Sequence, residues 1–326
     1  MEFCKRLISE PDKESSMKRL PNQGRRKFLG TLASTAAAAF CWPLIGSAKP
    51  HTVITKSIPS SREAIPVIGL GSSRTFNVGK DPVARDACAE VMRNFFKAGG
   101  KLIDSSPMYG SSQEVIGYAL KKLNKTEHVF SADKVWISNH DIGREQMEIS
   151  RQLWNVKNFS LMQVHNLVSW EEHLETLYEM KQAGEIRYVG ITTSHGRRHR
   201  DFENIMQQQT LDFVQLSYNI IDREVEQRLL PLAKERGIAV IANRPFQRGD
   251  LIGWAKRHSL PDWANEINCT NWAQFLLKFI VSHPAVTCAI PATSRVDHIL
   301  ENIGAATGRL PDAAMRKRMI AYIEKL

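Results

Sequence analysis

Residues 99–120, GGKLIDSSPMYGSSQEVIGYAL, hold a strand, a loop and a helix in one pass. Lys101 to Ser105 form an apolar run of strand length, and Pro107 to Gly110 supply turn residues. Ser111 or Ser112 then caps a segment with Val115, Ile116, Ala119 and Leu120 at helical spacing. Asp104 falls at the C-terminal end of the strand and Tyr109 in the loop, where reactive groups collect in parallel α/β proteins. A phenol beside a strand-end carboxylate is a candidate general acid if a cation also lowers its pKa. A turn tyrosine equally serves as a packing or hydrogen-bonding residue, so the pair alone leaves both readings open.

The same unit recurs along the chain. Strand-like runs at 66–70, 101–105, 135–138, 161–165, 188–192, 213–217, 239–243 and 287–291 follow a short polar β-like stretch at 53–57. They alternate with helical patterns near 82–98, 112–123, 144–154, 170–183, 200–208, 224–236, 272–282 and 296–306. Eight βα units in succession predict an α/β fold, the (β/α)8 TIM barrel. A doubly wound dinucleotide fold would place Gly-x-Gly-x-x-Gly after the first strand, and Gly69-Leu70-Gly71-Ser72-Ser73-Arg74 lacks the third glycine. Gly99, Gly100, Gly184 and Gly237 each stand just before a strand, where a helix C-cap is expected. The longest connection, 246–269, carries Trp254 and Trp263 and reads as a lid or as a packed insertion.

With 326 residues, 43% of them hydrophobic, the chain is ample for one large barrel. Its net charge of +10 raises nucleic acid as a ligand, but zinc-finger spacing, an RNP-like motif and a long Lys/Arg block are all missing. Residues 1–48 hold 8 Lys/Arg and 4 Asp/Glu, which leaves 36 against 30 in the remainder. A mildly basic protein that holds an anionic cofactor accounts for that balance. The five cysteines, Cys4, Cys41, Cys88, Cys269 and Cys288, have no metal-ligand spacing, so they read as buried apolar residues and no metal site is expected.

The first 48 residues differ in kind. A polar stretch is followed by Arg25-Arg26-Lys27-Phe28-Leu29, an Ala-rich apolar run at 31–45 and the small residues Gly46-Ser47-Ala48. This resembles a bacterial twin-arginine (Tat) signal peptide, which implies the Tat export machinery as partner and a periplasmic protein whose domain spans 49–326. The apolar run is shorter than the roughly 20 residues of a membrane span, so the mature protein is expected not to be membrane-embedded; an uncleaved anchor is the alternative.

Two further residues join Asp104 and Tyr109. Lys134 in SADKVWIS and His165 in FSLMQVHN lie on the next two β-like runs. Singly, each of the four has an ordinary structural explanation. In this order, from about Ile65 to the C-terminus, they resemble the aldo/keto reductase family. The resemblance implies reduction of an aldehyde or ketone group of a small molecule by NADPH. Tyr109 would give the proton, Lys134 would lower the phenol's pKa, Asp104 would hold the ammonium, and His165 would orient the carbonyl oxygen.

For the cofactor it implies Thr192 and Thr193 where the family often has Ser-Asn, and Gln215 in FVQLSYN at the carboxamide. It implies Asn243 in place of a stacking Tyr, with Arg244 and Phe246 beside it in ANRPF. Ser294 and Arg295 of IPATSRVDHILEN would take the 2′-phosphate and Asn302 the adenine. The Thr193 and Asn243 departures leave room for a cofactor-bound sensor or assembly module with little turnover. A Schiff-base aldolase using Lys134 would leave Tyr109 and His165 without a purpose. The basic run 194–200 is a solvated loop face or a site for an acidic substrate or the cofactor's pyrophosphate.

Overall fold

The computed structural model describes residues 53–326. The expected twin-arginine leader at 1–48 lies outside the described residues. Strands β1 (Thr55–Ser57) and β2 (Ala64–Pro66) form an antiparallel hairpin with Thr55 opposite Pro66. Eight parallel strands follow: β3 (Leu70–Gly71), β4 (Leu102–Asp104), β5 (Phe130–Val135), β6 (Phe159–Val164), β7 (Ile186–Thr192), β8 (Phe213–Ser217), β9 (Ala239–Asn243) and β10 (Cys288–Ala289). Each pairs with the next. Bridges from Ile68 to Ala289 and from Gly71 to Ala292 join the last strand to the first, so the sheet closes into a (β/α)8 barrel.

The barrel interior changes character along its axis. Leu102, Phe130, Leu161, Tyr188, Phe213 and Ala239, near the strand starts, pack as one apolar cluster with Ile58 and Ile65 of the hairpin. The hairpin therefore plugs the N-terminal mouth. Two residues further along β4, β6 and β8, and four further along β5, the inward positions become Asp104, Gln163, Gln215 and Lys134, all buried. That polarity explains why the third strand is misplaced by sequence reading. Its pattern FSADKV is polar on both faces towards its end, yet Phe130–Val135 is the strand and residues 136–138 already belong to the loop. The first barrel strand likewise differs from the expected 66–70, because Ala64–Pro66 is used by the hairpin and Leu70–Gly71 pairs with β4.

Ten helices are described: α1 (Pro82–Lys97), α2 (Ser112–Leu123), α3 (Gly143–Trp154), α4 (Trp170–Gln182), α5 (His199–Gln208), α6 (Leu229–Glu235), α7 (Asp250–Ala255), α8 (Trp272–Val281), α9 (Val296–Gly304) and α10 (Ala313–Ile323). Asp81 caps α1 by accepting from the Ala84 N–H, with Pro82 in the first turn. Helices α2 and α3 approach so closely that a Cβ on Gly117 would lie 1.9 Å from the Leu153 carbonyl oxygen, which only glycine permits. The helix expected at 224–236 is broken into a short turn and α6. Pro231 accounts for this, since its ring would meet the carbonyl of residue 227 in a continuous helix.

The long connection after β9 is a packed insertion. It contains α7 and buries Leu251, Ala255, Ala264 and Ile267. The Trp272 indole donates to the His258 carbonyl and the Tyr322 hydroxyl to that of Ser259, tying it to α8 and α10. Lys278 of α8, fully buried, donates to the carbonyls of Ile267, Thr307 and Arg309 at 2.6, 2.7 and 2.9 Å. A buried ammonium is tolerated there because all three of its donors are used. Helix α10, absent from the sequence reading, sets Met315, Met319 and Ile323 against the core at intervals of four. Cys88, Cys269 and Cys288 are buried free thiols. Among the described residues no helix is long and apolar enough to cross a membrane.

Candidate active site

At the C-terminal end of the barrel, β4 delivers Asp104 and β5 delivers Lys134, both inward by strand parity. The Lys134 ammonium donates to both Asp104 oxygens, at 2.8 and 2.7 Å, and to the Ser105 carbonyl at 2.6 Å. Neither side chain is appreciably exposed. Burial pulls the Lys134 pKa down, while Asp104, Tyr109 and Asp133 push it up, and the net direction is upward. The lysine is therefore a fixed positive charge.

Tyr109 follows on a short turn, Pro107–Tyr109, capped by the Ser106 hydroxyl accepting from the Met108 N–H at 3.2 Å. Gly110 has φ +59°, and a Cβ there would lie 2.4 Å from Asn77 Oδ1. The Tyr-Gly pair thus lets the chain turn tightly against Asn77 and hold the phenol ring over the ammonium, 5.4 Å from Lys134 Nζ. The expected lowering of the Tyr109 pKa is not what the structure shows. Burial raises it, and the opposing Lys134 charge does not overcome that. Consequently the phenol keeps its proton at neutral pH, which is the form a proton donor needs.

His165 lies one residue beyond β6 and is buried. Its ring meets that of Tyr109 edge-on, with centroids 5.8 Å apart, and its Nδ1 is 2.8 Å from Ser106 Oγ. Burial, aided by the Lys134 charge, lowers its pKa to about 3, so the imidazole is neutral. Trp136 lies 6.4 Å from His165 between ring centroids and, with Met108, leaves apolar surface exposed beside the polar centre.

The expected cofactor residues take two kinds of position. Gln215 donates across the barrel to Asp104 Oδ1 at 2.8 Å, adding a bond to the Lys134–Asp104 centre. Thr192 Oγ1 accepts from the Asn166 N–H, and the Thr193 hydroxyl donates to the Arg197 carbonyl. Asn243 donates to the Thr193 carbonyl at 3.0 Å and accepts from the Ser217 hydroxyl at 2.8 Å. These residues bind β7, β8 and β9 to one another at their ends. Phe246 packs against the core, and Arg244, half-buried, has φ +52°. The fields of Arg244, Arg248 and Arg197, after burial, lower the His195 pKa, so the loops after β7 and β9 form one positive rim. Ser294 and Arg295 are exposed before α9, where Arg295 pairs with Asp297 at 2.5 Å, and Asn302 is buried on that helix.

Ser106, Gln163 and Trp136 were missed by sequence reading. Each lies two residues from a singled-out residue: Ser106 from Asp104, Gln163 from His165 and Trp136 from Lys134. The two-residue period of a strand was the available signal. Gln163 is fully buried, and neither of its amide atoms has a hydrogen-bond partner among the described residues.

The chain belongs to the aldo/keto reductase family, whose model matches residues 67–321. It is an NAD(P)H-dependent oxidoreductase. Among its relatives, the NADH-specific methylglyoxal reductase of Escherichia coli is 27% identical over 242 residues, which are 64% of this chain and 71% of that protein. An aldo/keto reductase from Klebsiella pneumoniae, solved with NADP and acetate, superposes with a TM-score of 0.69 at 22% identity, covering 83% of this chain and 95% of that one. A thermostable aldo-keto reductase solved with the inhibitor epalrestat gives a TM-score of 0.69 at 27% identity, with 82% and 99% covered.

Behind Lys134, Asp133 is fully buried, accepting from Gln113 Nε2 at 2.7 Å and from the Lys134 N–H. Burial raises its pKa from 3.8 to about 7. Between those values the folded chain holds a proton that the unfolded chain has released, so this group's contribution to stability is lost as pH rises through 7. Asp133→Asn cannot ionise and should be more stable than wild type at pH 8 by about 1–3 kcal/mol, with the difference closing below pH 4. Urea denaturation at the two pH values measures this, and equal effects at both would exclude the buried titration.

Proposed function

We propose that this chain is an NADPH-dependent reductase of aldehyde or ketone groups in small molecules, with Tyr109 as proton donor and Lys134, Asp104 and His165 as its supports. The observation that carries the reading is the Lys134 ammonium, buried and held by Asp104 and Ser105, with the Tyr109 ring above it and neutral His165 at that ring's edge. The bound nicotinamide would supply hydride. As charge develops on the substrate oxygen, the Tyr109 hydroxyl delivers its proton, and the Lys134 charge stabilises the phenolate left behind. His165 donates a hydrogen bond to the same oxygen and orients it. Trp136 and Met108 offer apolar contact for the rest of the substrate.

The donor set fits an anionic dinucleotide. The Arg244 and Arg248 guanidinium groups have no hydrogen-bonded acceptor among the described residues, and with Arg197 and His195 they suit its phosphates. Thr192, Thr193, Gln215 and Asn243 line the strand ends where the amide would lie, with Phe246 beside them. Ser294, Arg295 and Asn302 would hold the adenosine end. The Escherichia coli relative is NADH-specific and the Klebsiella structure contains NADP, so the preference for NADPH rests on Arg295. Asp297 competes for that guanidinium. Export through the Tat machinery to the periplasm is proposed from Arg25, Arg26 and the apolar run. This route carries folded proteins and so suits a cofactor loaded before export.

Tyr109→Phe should bind NADPH as wild type does and lower kcat by about 10²–10⁴-fold. Single-turnover NADPH oxidation with a reactive aldehyde measures this, and a rate within a few-fold of wild type would end the mechanism. Arg295→Ala should raise the Kd for NADPH about tenfold or more, the loss of one charge-assisted contact, and leave that for NADH nearly unchanged. Fluorescence titration with both cofactors tests it; equal losses would remove Arg295 from the phosphate site. Replacing Arg25 and Arg26 together by Lys should retain the protein in the cytoplasm. Export at the wild-type rate in cell fractionation would reject the Tat assignment.

A further inference from the structure

Neutral imidazole carries one N–H, and a carbonyl-orienting histidine must carry it on the edge that faces the substrate. The contacts of His165 decide which edge that is. Ser106 Oγ lies 2.8 Å from Nδ1, and both residues are buried. The same oxygen accepts the Met108 N–H at 3.2 Å. Among the described residues, Ser106 Oγ–H has no acceptor other than Nδ1, and Nε2 has no hydrogen-bond partner at all.

Two assignments of the proton are then possible. With the proton on Nδ1, Ser106 Oγ would receive two N–H groups and its own hydrogen would be buried without an acceptor, which is unfavourable. With the proton on Nε2, Ser106 donates to Nδ1 while accepting from Met108, and every group is satisfied. Ser106 also begins the turn that carries Tyr109, whose N–H donates to the Ser106 carbonyl at 3.0 Å. One residue therefore couples the loop of the proton donor to the ring of the orienting histidine.

We propose that Ser106 is a positioning residue that holds His165 in the tautomer protonated on Nε2, so that this nitrogen donates to the substrate oxygen. The second half of the statement rests on the reductase reading above; the first does not. A hydrogen bond to one ring nitrogen sets the protonation of the other, as it does for metal-bound histidines.

The test uses the full chain with ¹⁵N-labelled histidine, His165 being assigned by the signal lost in His165→Gln. Wild type should show an unprotonated Nδ1 and a protonated Nε2. Ser106→Ala should show averaged nitrogen shifts and a kcat at least about tenfold lower at saturating NADPH, with the NADPH Kd within twofold, because the oriented donor is lost. Ser106→Thr, which keeps the hydroxyl, should restore both signatures. A wild-type His165 protonated on Nδ1 overturns the proposal even if Ser106→Ala fails to fold. So does a folded Ser106→Ala that keeps the Nε2 proton and turns over within twofold of wild type. A wild-type protein that shows the Nε2 proton yet reduces no carbonyl rejects the reductase reading and supports the Ser106 assignment.

Discussion

The Lys134 ammonium sits inside the barrel with no exposure to water, and the upper half of the molecule is arranged to make that possible. Removing an ion of this size from water costs several kcal/mol, which a single loose partner does not offset. Here both Asp104 oxygens and the Ser105 carbonyl accept from the three ammonium hydrogens, and Gln215 Nε2 steadies Asp104 from the far side of the barrel. Strands β4, β5 and β6 and the turn after β4 then have to keep their register. Their parallel pairing, Asp104 with Ala132 and Lys134 with Gln163, supplies that register.

Burial of this centre has two consequences for its chemistry. It raises the Tyr109 pKa and lowers that of His165, so both groups are neutral over the ordinary pH range, the forms that the proposed proton donor and carbonyl-orienting group require. In the proposed reaction the Lys134 charge would contribute chiefly when negative charge appears on the tyrosine oxygen. A fixed cation in a water-poor site acts there without reorganising solvent.

The rim of the barrel is organised by different forces. Asn243, Ser217 and Thr193 hydrogen-bond the ends of β7, β8 and β9 to each other, and His195 N donates to Ser217 Oγ from the basic loop. These short polar side chains hold two loops whose backbones adopt positive φ at His195, Arg198, Arg244, Gln247 and Arg248, none of them glycine. Strained backbone of this kind persists only where the surroundings over-determine it. The result is a group of guanidinium side chains at the rim, where burial and then the Arg248 charge lower the Arg244 pKa.

Much of this was legible in the chain. Alternating βα patterns, with glycines at helix ends, were enough for the eight-stranded barrel, because hydrophobic period is a local property. The set Asp104, Tyr109, Lys134, His165 was legible through its resemblance to the aldo/keto reductase family, because the strand expected at 135–138 left Lys134 just outside it while the observed strand, Phe130–Val135, contains it. Three-dimensional packing decided the rest. Whether Tyr109 is raised or lowered in pKa depends on the balance of burial against one charge, and no spacing in a sequence reports burial. That Gln215 meets Asp104, that Ser106 meets His165, and that the segment after β9 is tied down through Ser259 to Tyr322 are contacts between residues 111, 59 and 63 positions apart. Such contacts exist only once the sheet has closed, because closure is what brings the ends of non-neighbouring strands within hydrogen-bonding distance.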